Sequence, residues 1–568
     1  MLRHWGKGHS VVHWTITAAI LCLSVTVCAA DQQRDLWPMG GQNLHNTRHA
    51  ATEHTISAHN VSALTATWIF TTSGDVSATP AVDEHALYFP DWGGTLYKLN
   101  RTTGQQVWSR SIPSYTGLFT PGPGLAQPVS RTTPALHGHT LVIGSHVGAY
   151  IIAVDKHTGN LLWKTQADPH PTAIITQSPV VAGARVYIGV SSTESFVASD
   201  PMYPCCSFRG SFLALDVNTG AILWRTTTVP EGYSGGAVWG GTPVVDTKRH
   251  AVYVTTGQNY SAPEAVFACL EAVDGDLEAA AACLAPDDYA DAILALDMST
   301  GAIKWGRRLQ SFDVWSLACG TDDGAFPPLD TCKAPESPDY DVGAASLLTV
   351  TGEGGQQRAN DIGPRDLLGV GQKSGIYWAL DPDDGSIVWA TQVGPGSDRG
   401  GILWGSATDG NRVYVAAANW KSVEVPLTPS GQITTSGFWN ALDARTGAII
   451  WQTADPVPGG VAAGMVTVAH DVVYAASMDP LGHLYALSAA TGAMLWSYPS
   501  GGSVIAGPAV VKGTVYWGSG YERGFATANH RLYAFALPHR IGPRDRAGRT
   551  FGLLDVLGLA QRFVQRRP

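Results

Sequence analysis

One spacing recurs seven times along this chain: an acidic or polar residue directly after a Leu or Val, a Gly four positions later, and a Trp four positions after the Gly. The instances are Asn100/Gly104/Trp108, Asp155/Gly159/Trp163, Asp216/Gly220/Trp224, Asp297/Gly301/Trp305, Asp381/Gly385/Trp389, Asp443/Gly447/Trp451 and Ser488/Gly492/Trp496. Such a repeat means stacked copies of one supersecondary unit and limits the chain to an array architecture. Each unit reads as strand, tight turn, strand: Tyr485-Ala486-Leu487 ends one strand, Ser488 to Gly492 turns, and Ala493 to Trp496 opens the next. Gly supplies the positive φ that closes the turn, and the Asp or Ser at its start bonds the backbone N–H groups ahead of it. The Trp then docks on the neighbouring unit. Between units, a Pro with small apolar residues precedes a Tyr-containing strand, as in Ser178-Pro179-Val180-Val181 before Val186-Tyr187-Ile188-Gly189. Four short strands per unit make a propeller blade.

The two ends of the repeat complete one another. Trp68 has no turn before it but is followed by Ala78-Thr79-Pro80-Ala81-Val82, and Leu532 to Leu537 supplies a blade-ending strand with no Trp after it. The sequence therefore predicts an all-β, eight-bladed β-propeller of four-stranded blades, its ring closed by N- and C-terminal strands so that no sheet edge is left open. The expected organisation is a leader over 1–30, the propeller over 31–540 and a basic tail over 541–568.

Composition agrees with one large exported β-domain. The 64 glycines and 34 prolines suit many tight turns, and 14% charged residues is low for a soluble chain. A net charge of −10, with basic clusters only at Arg540 to Arg549 and Arg562 to Arg567, argues against a nucleic-acid partner. The tail reads as a solvated basic end rather than a membrane-surface contact. Arg3 and Lys7 precede an apolar stretch from Trp14 to Val27, and Ala29-Ala30 offer small residues for cleavage. This reads as a signal peptide leading to a periplasmic or secreted location, without stable membrane insertion; an uncleaved anchor is the alternative. Setting aside Cys22 and Cys28 leaves six cysteines, an even number that fits an oxidising compartment. Proximity favours Cys269 with Cys283 and Cys319 with Cys332, each pinning an insertion. Cys205 and Cys206 then read as a vicinal disulfide, with two buried thiols or separate pairings as the alternatives. No Cys-x-x-Cys-His occurs, so the chain carries no covalent c-type haem.

The fullest form of the repeat is Ala-Leu-Asp-x-x-Thr-Gly-x-x-x-Trp, at 441–451. With it stand Tyr203-Pro204-Cys205-Cys206-Ser207-Phe208-Arg209-Gly210, Gly371-Gln372-Lys373-Ser374-Gly375, and Gly400-Gly401-Ile402-Leu403-Trp404-Gly405-Ser406-Ala407. In these stretches, and in Trp37-Pro38-Met39-Gly40-Gly41 through Asn46-Thr47-Arg48, the chain resembles the pyrroloquinoline quinone (PQQ) dehydrogenases, and among them the polyvinyl-alcohol dehydrogenase type. The resemblance covers most of residues 37 to 537. Non-enzymatic propellers share the blade repeat, so the internal motifs carry it.

A planar, triply anionic quinone needs a flat apolar platform, cations for its carboxylates and a hard cation beside its reactive carbonyl. The resemblance implies PQQ and Ca2+ as cofactors. Trp239, in Gly235-Gly236-Ala237-Val238-Trp239-Gly240, matches the platform and is not one of the seven repeat tryptophans. Arg131 matches a carboxylate grip and Lys373 the cation beside the quinone oxygens, a bidentate fork and a point charge respectively. Thr176 and Ser192 sit where small hydroxyls bond the cofactor in relatives, and Cys205 with Cys206 lines the site by likeness to the polyvinyl-alcohol type. Glu194 and Asn259 match the calcium ligands; Asn259 also starts an Asn-Tyr-Ser sequon. Each has an ordinary reading beside this one: a core Trp, a surface Glu, a turn Asn, solvated loop residues.

The catalytic base breaks the pattern. Aligning Trp315 puts Ser316 where the alcohol dehydrogenases carry an Asp, and a serine does not act as a base at neutral pH without its own activation. Asp313 is the nearest carboxylate and takes the role here, with a solvated loop Asp as the alternative. The expected function is oxidation of an alcohol, secondary or polymeric, to a carbonyl, with electrons passed to an external cytochrome c or similar acceptor. The alternatives are a scaffold propeller and a degenerate quinoprotein-like binding protein.

Overall fold

Four antiparallel strands follow one another in each blade. In blade one they are Ala81–Val82, Ala86–Pro90, Thr95–Asn100 and Gln106–Ser111. The second strands are buried along their whole length, as in Ala86–Pro90 and Val472–Ala476, whereas fourth strands such as Met494–Pro499 are largely open to solvent. That gradient explains the sequence pattern: strands covered on both faces read as unbroken apolar runs, and edge strands alternate. Blades two to seven occupy residues 135–166, 180–227, 244–308, 342–392, 407–454 and 467–499. The eighth takes Ala509–Val511, Thr514–Ser519 and Arg531–Ala536 from the end of the chain and Thr65–Thr71 from its beginning. Thr65 pairs with Ala536 and Trp68 with Ala534, so the ring is closed as the sequence predicts, with eight blades. This computed structural model describes residues 35–122, 128–350, 365–523 and 526–538. The expected leader and basic tail lie outside the described residues. Among the described residues, no helix is long and apolar enough to cross a membrane.

The Gly-to-Trp rhythm is an interlock between blades. All seven turn glycines have φ between 70° and 73°. A Cβ on Gly492 would lie 2.6 Å from the ring of Trp451 in the preceding blade, and Gly104, Gly159, Gly220, Gly301, Gly385 and Gly447 stand in the same relation to Trp68, Trp108, Trp163, Trp224, Trp305 and Trp389. Each indole N–H also donates across the same seam, for instance from Trp163 to the Val217 carbonyl at 2.9 Å and from Trp451 to that of Ala489 at 3.1 Å. The last, Trp496, meets no turn and donates instead to Leu64 at 3.1 Å, just before the closing strand.

A second closure has no counterpart in the repeat. The segment 37–48 runs past the first strands of six blades, bonding in turn to Val82, Leu136, Val245, Leu347, Thr408 and Val468. Arg48 ends it, buried, with its guanidinium donating to Val466 O (2.8 Å), Gly40 O (2.8 Å), Thr79 Oγ1 and Thr467 Oγ1 (both 3.2 Å).

Three disulfides form: Cys205–Cys206, Cys269–Cys283 and Cys319–Cys332. Cys269–Cys283 pins a helical insertion, Glu264–Ala272 and Leu277–Ala280, inside blade four. Cys319–Cys332 pins the connection from blade four to blade five rather than an insertion within a blade.

Candidate active site

Loops from successive blades meet in an aromatic cluster that includes Trp92, Trp239, Leu403, Trp404, Ala418, Trp420, Met478 and Tyr521. Blades one, four, six, seven and eight and the turns between them all contribute, which places the cluster at one mouth of the ring. Trp239 meets Trp404 edge to face, with centroids 5.2 Å apart. Lys373 Nζ lies 5.7 Å from the Trp239 ring centre, and the Arg131 guanidinium 4.5 Å from that of Trp404. Thr176 Oγ1 donates to the Trp239 carbonyl at 2.9 Å, which fixes the backbone that carries the indole. The expected platform, its two cations and Thr176 are therefore brought together. Rings of this kind are flat and apolar on their faces, and a guanidinium or ammonium over a face is held by the ring quadrupole.

Beneath Trp239 lies a buried acidic group. Lys373 Nζ pairs with Asp341 at 2.8 Å and Asp339 at 3.0 Å, all three nearly inaccessible. Asp313 is also buried; its Oδ2 accepts from Tyr340 N at 2.7 Å, and its Oδ1 has no hydrogen-bond partner among the described residues. Burial, with Asp341 adding to it, pushes the Asp313 carboxyl up to about 7. Burial and neighbouring carboxylates likewise raise Asp291 and Asp339 well above the usual range. Burial opposes the charge on Lys373, but Asp339 and Asp341 outweigh it and hold the ammonium above its ordinary value. One ammonium thus serves a group of carboxyls that burial pushes toward their neutral forms, and a further cation would favour the charged ones.

Asn259 joins this group through the backbone. Its N–H donates to the Asp313 carbonyl at 3.2 Å, and its own carbonyl accepts from Trp315 N at 2.8 Å. Its side-chain N–H donates to Asp288 Oδ2 at 2.7 Å, which leaves Oδ1 buried and without a partner among the described residues. Burial raises the Asp288 carboxyl to about 6, against the bond from Asn259. Because Asn259 is fully buried, its sequon is closed to modification in the folded chain.

Glu194 is more heavily used. It starts the short helix Glu194–Val197 and is completely buried. Its Oε1 accepts from Tyr203 Oη and Ser207 N, both at 2.9 Å, and its Oε2 from Phe208 N at 2.8 Å. The carboxylate therefore ties down the loop that carries Cys205–Cys206. The Ser192 hydroxyl serves the same turn: it accepts from Glu194 N at 2.9 Å and lies 2.7 Å from Thr172 Oγ1. Cys205 is exposed and Cys206 half-buried, its carbonyl 3.4 Å from Ser261 Oγ. Ser316 is buried beside Trp315, and its carbonyl accepts from Cys319 N at 2.8 Å.

A family model described as outer membrane protein assembly factor BamB, the PQQ_2 family, matches residues 50–306 and 439–536, more than half of the chain. The chain belongs to the PQQ_2 family. The chain is also similar to polyvinylalcohol dehydrogenase of Sphingopyxis sp. (strain 113P3), 28% identical over 80% of this chain and 68% of that one. The polyvinylalcohol dehydrogenase of Pseudomonas sp is 28% identical over 87% of this chain and 74% of that one. The crystal structure of quinohemoprotein alcohol dehydrogenase from Comamonas testosteroni superposes with a TM-score of 0.63 at 20% identity, covering 90% of this chain and 82% of that one, and shares the fold.

Oxygen donors of the kind a hard cation takes are present, although among the described residues no group of three or more His, Cys, Asp or Glu side chains is disposed to hold a metal ion. Asn259 Oδ1 and Asp313 Oδ1 are buried oxygens with no partner among the described residues, and Glu194 Oε2 carries one hydrogen bond and retains a lone pair. The outer cavity lined by Lys248, Arg249, Lys304, Trp305 and Asp383 is a poorer candidate, because Arg249 and Lys248 are already paired with Asp246, Asp366 and Asp383.

The residues that sequence reasoning missed are Trp92, Trp404 and Tyr521 in the cluster and Asp288, Asp291, Asp339 and Asp341 beneath it. Trp92, Trp239 and Trp404 are not among the seven repeat tryptophans, and that is the mark by which the sequence sets them apart. The carboxylates carry no such mark. Asp287-Asp288 and Asp339-Tyr340-Asp341 read as ordinary polar loops.

Proposed function

We propose that this chain is a PQQ-dependent alcohol dehydrogenase that oxidises a secondary or polymeric alcohol to the carbonyl. The observation that carries the reading is the Trp239–Trp404 pair bracketed by Lys373 and Arg131, above buried Asn259 and Asp313 oxygens that lack protein partners among the described residues. PQQ would supply the two-electron acceptor and Ca2+ the positive charge beside its reactive carbonyl.

The chain's own residues divide the remaining work. Trp239 gives the quinone a flat face, Arg131 grips a carboxylate, and Lys373, kept charged by Asp339 and Asp341, faces the quinone oxygens. Glu194 and Asn259 hold the calcium. Asp288, by accepting from the Asn259 amide, fixes that amide's rotamer and leaves its Oδ1 free to hold the ion when it is bound. Asp313 accepts the hydroxyl proton of the alcohol as the carbinol hydrogen leaves with its electron pair. Thr176 holds the platform, and Ser192 with Glu194 holds the Cys205–Cys206 loop at the rim. Electrons leave to an external cytochrome c or similar acceptor, since this chain has no Cys-x-x-Cys-His. The three disulfides fit an oxidising, periplasmic or secreted location.

Reconstitution with PQQ and Ca2+ should give dye-linked oxidation of secondary alcohols. Asp313→Asn should lower turnover by about 100-fold or more while leaving quinone binding in place. The presence of Ser316 beside Trp315 favours a second reading, a quinone-binding protein without turnover. That reading predicts binding but no dye reduction by the wild-type chain.

A further inference from the structure

The mouth carries a second cationic pole, on the side of blades one, two and eight. Arg523, in the loop between Thr514–Ser519 and Arg531–Ala536, stacks its guanidinium 4.4 Å from the ring centre of Trp92. Trp92 is fixed in turn by its indole N–H, which donates to Ser77 Oγ at 2.8 Å. Arg131 stacks on Trp404 in the same manner. Lys373 is paired with two carboxylates, but neither Arg131 nor Arg523 forms an ion pair with a described residue.

His146 sits against the same indole, edge to face with Trp92 at 5.1 Å. It is 2% exposed, and neither ring nitrogen has a hydrogen-bond partner among the described residues. Trp92, which carries Arg523 and abuts His146, shares one packed cluster with Trp404, which carries Arg131. Burial, then the two guanidiniums, lower the His146 pKa well below the ordinary range, and the imidazole is neutral. A neutral imidazole presents one donor and one acceptor, and burying both without partners costs free energy. Two guanidiniums without a counter-charge add repulsion to that cost. An anionic, hydrogen-bonding ligand offsets both.

We propose that Arg131, Arg523 and His146 form an anion subsite that takes a carboxylate of the bound quinone. The indole stacking presets the two guanidinium forks, which suits bidentate contact with a carboxylate. Arg523 and His146 are thereby added to the binding residues, and the subsite rests on the quinone reading given above.

The test is a fluorescence titration of the full chain with PQQ and with its trimethyl ester, in the presence of Ca2+, for the wild type and Arg523→Gln. Arg523 is exposed, so the variant should fold. His146→Asn, checked for folding by its thermal transition, serves as the second variant. The subsite predicts that Arg523→Gln weakens PQQ about 10-fold or more and leaves the ester unchanged. Equal PQQ affinity in wild type and Arg523→Gln overturns the subsite and leaves the quinone reading standing. Equal weakening for PQQ and ester also overturns it, because the loss then comes from packing rather than charge. No saturable response of the wild type to PQQ overturns the quinone reading and the subsite with it.

Discussion

Lys373 shows how one residue balances structure against chemistry. It is buried between Asp339 and Asp341 at 3.0 and 2.8 Å and faces Trp239. Lys373→Met would leave two carboxylates buried without their cation, a change that costs about 3–5 kcal/mol. Thermal or urea denaturation should show a marked loss of stability for Lys373→Met; an unchanged midpoint would mean the carboxyls are protonated and the pairing is idle. Lys373 was legible in Gly371-Gln372-Lys373-Ser374-Gly375, and Trp239 was legible because it stands apart from the seven repeat turns. Their surroundings were not. Whether an Asp in a polar loop is solvated or buried depends on what the rest of the chain folds over it. Asp288 is sealed by its bond to Asn259, and Asp339 by Lys373 from the next blade, neither of which adjoins it in sequence. The Ser192 hydroxyl shows the same limit: its position was found, but its partner, Glu194 N, is a local turn contact that only the folded loop reveals.

The blade seams test the meaning of the repeat. At Gly492, φ is 73° and a Cβ would meet Trp451 at 2.6 Å; at Gly431, φ is 69° and a Cβ would meet nothing within 4 Å. Gly431→Ala should therefore cost only the backbone strain, about 1–2 kcal/mol, whereas Gly492→Ala should cost clearly more because it also unseats the indole. Similar losses in a denaturation series would show that the repeat sets turn geometry alone. A charged seam joins blades four and five, where Asp366 accepts from Lys248 and Arg249, both at 2.8 Å. Burial alone would raise the Asp366 carboxyl, but bonds from Lys248, Arg249 and Thr349 outweigh it and hold the group well below its usual range. A carboxyl lowered in this way adds stability above its unfolded value near 4, and that stability is lost as pH falls. Asp366→Asn should be about 1 kcal/mol less stable than wild type at pH 7, and the gap should narrow as pH drops below about 4. A gap independent of pH would assign the effect to packing. These seams were legible because a spacing repeated seven times records a contact made between successive units.

Ring closure uses both ends of the described chain. Deleting the strand Arg531–Ala536 would strand Thr65–Thr71 and open the edge of Thr514–Ser519. Size-exclusion chromatography of that truncation should show association or aggregation, as exposed edges recruit other chains; a monomer of unchanged stability would contradict the closure. The collar formed by residues 37–48 was not legible as such, because its bonds are backbone to backbone with six blades and leave no periodic trace in side chains. The closed ring gathers loops from many blades at one mouth, and the functional reading depends on what that mouth binds. Equilibrium titration of the purified chain with PQQ, following the quinone absorbance with and without Ca2+, tests this most directly. Saturable binding of one quinone per chain, strengthened by Ca2+ and lost together with Trp239 and Lys373, is the predicted result. No binding in the presence of Ca2+, or binding indifferent to both residues, would contradict it.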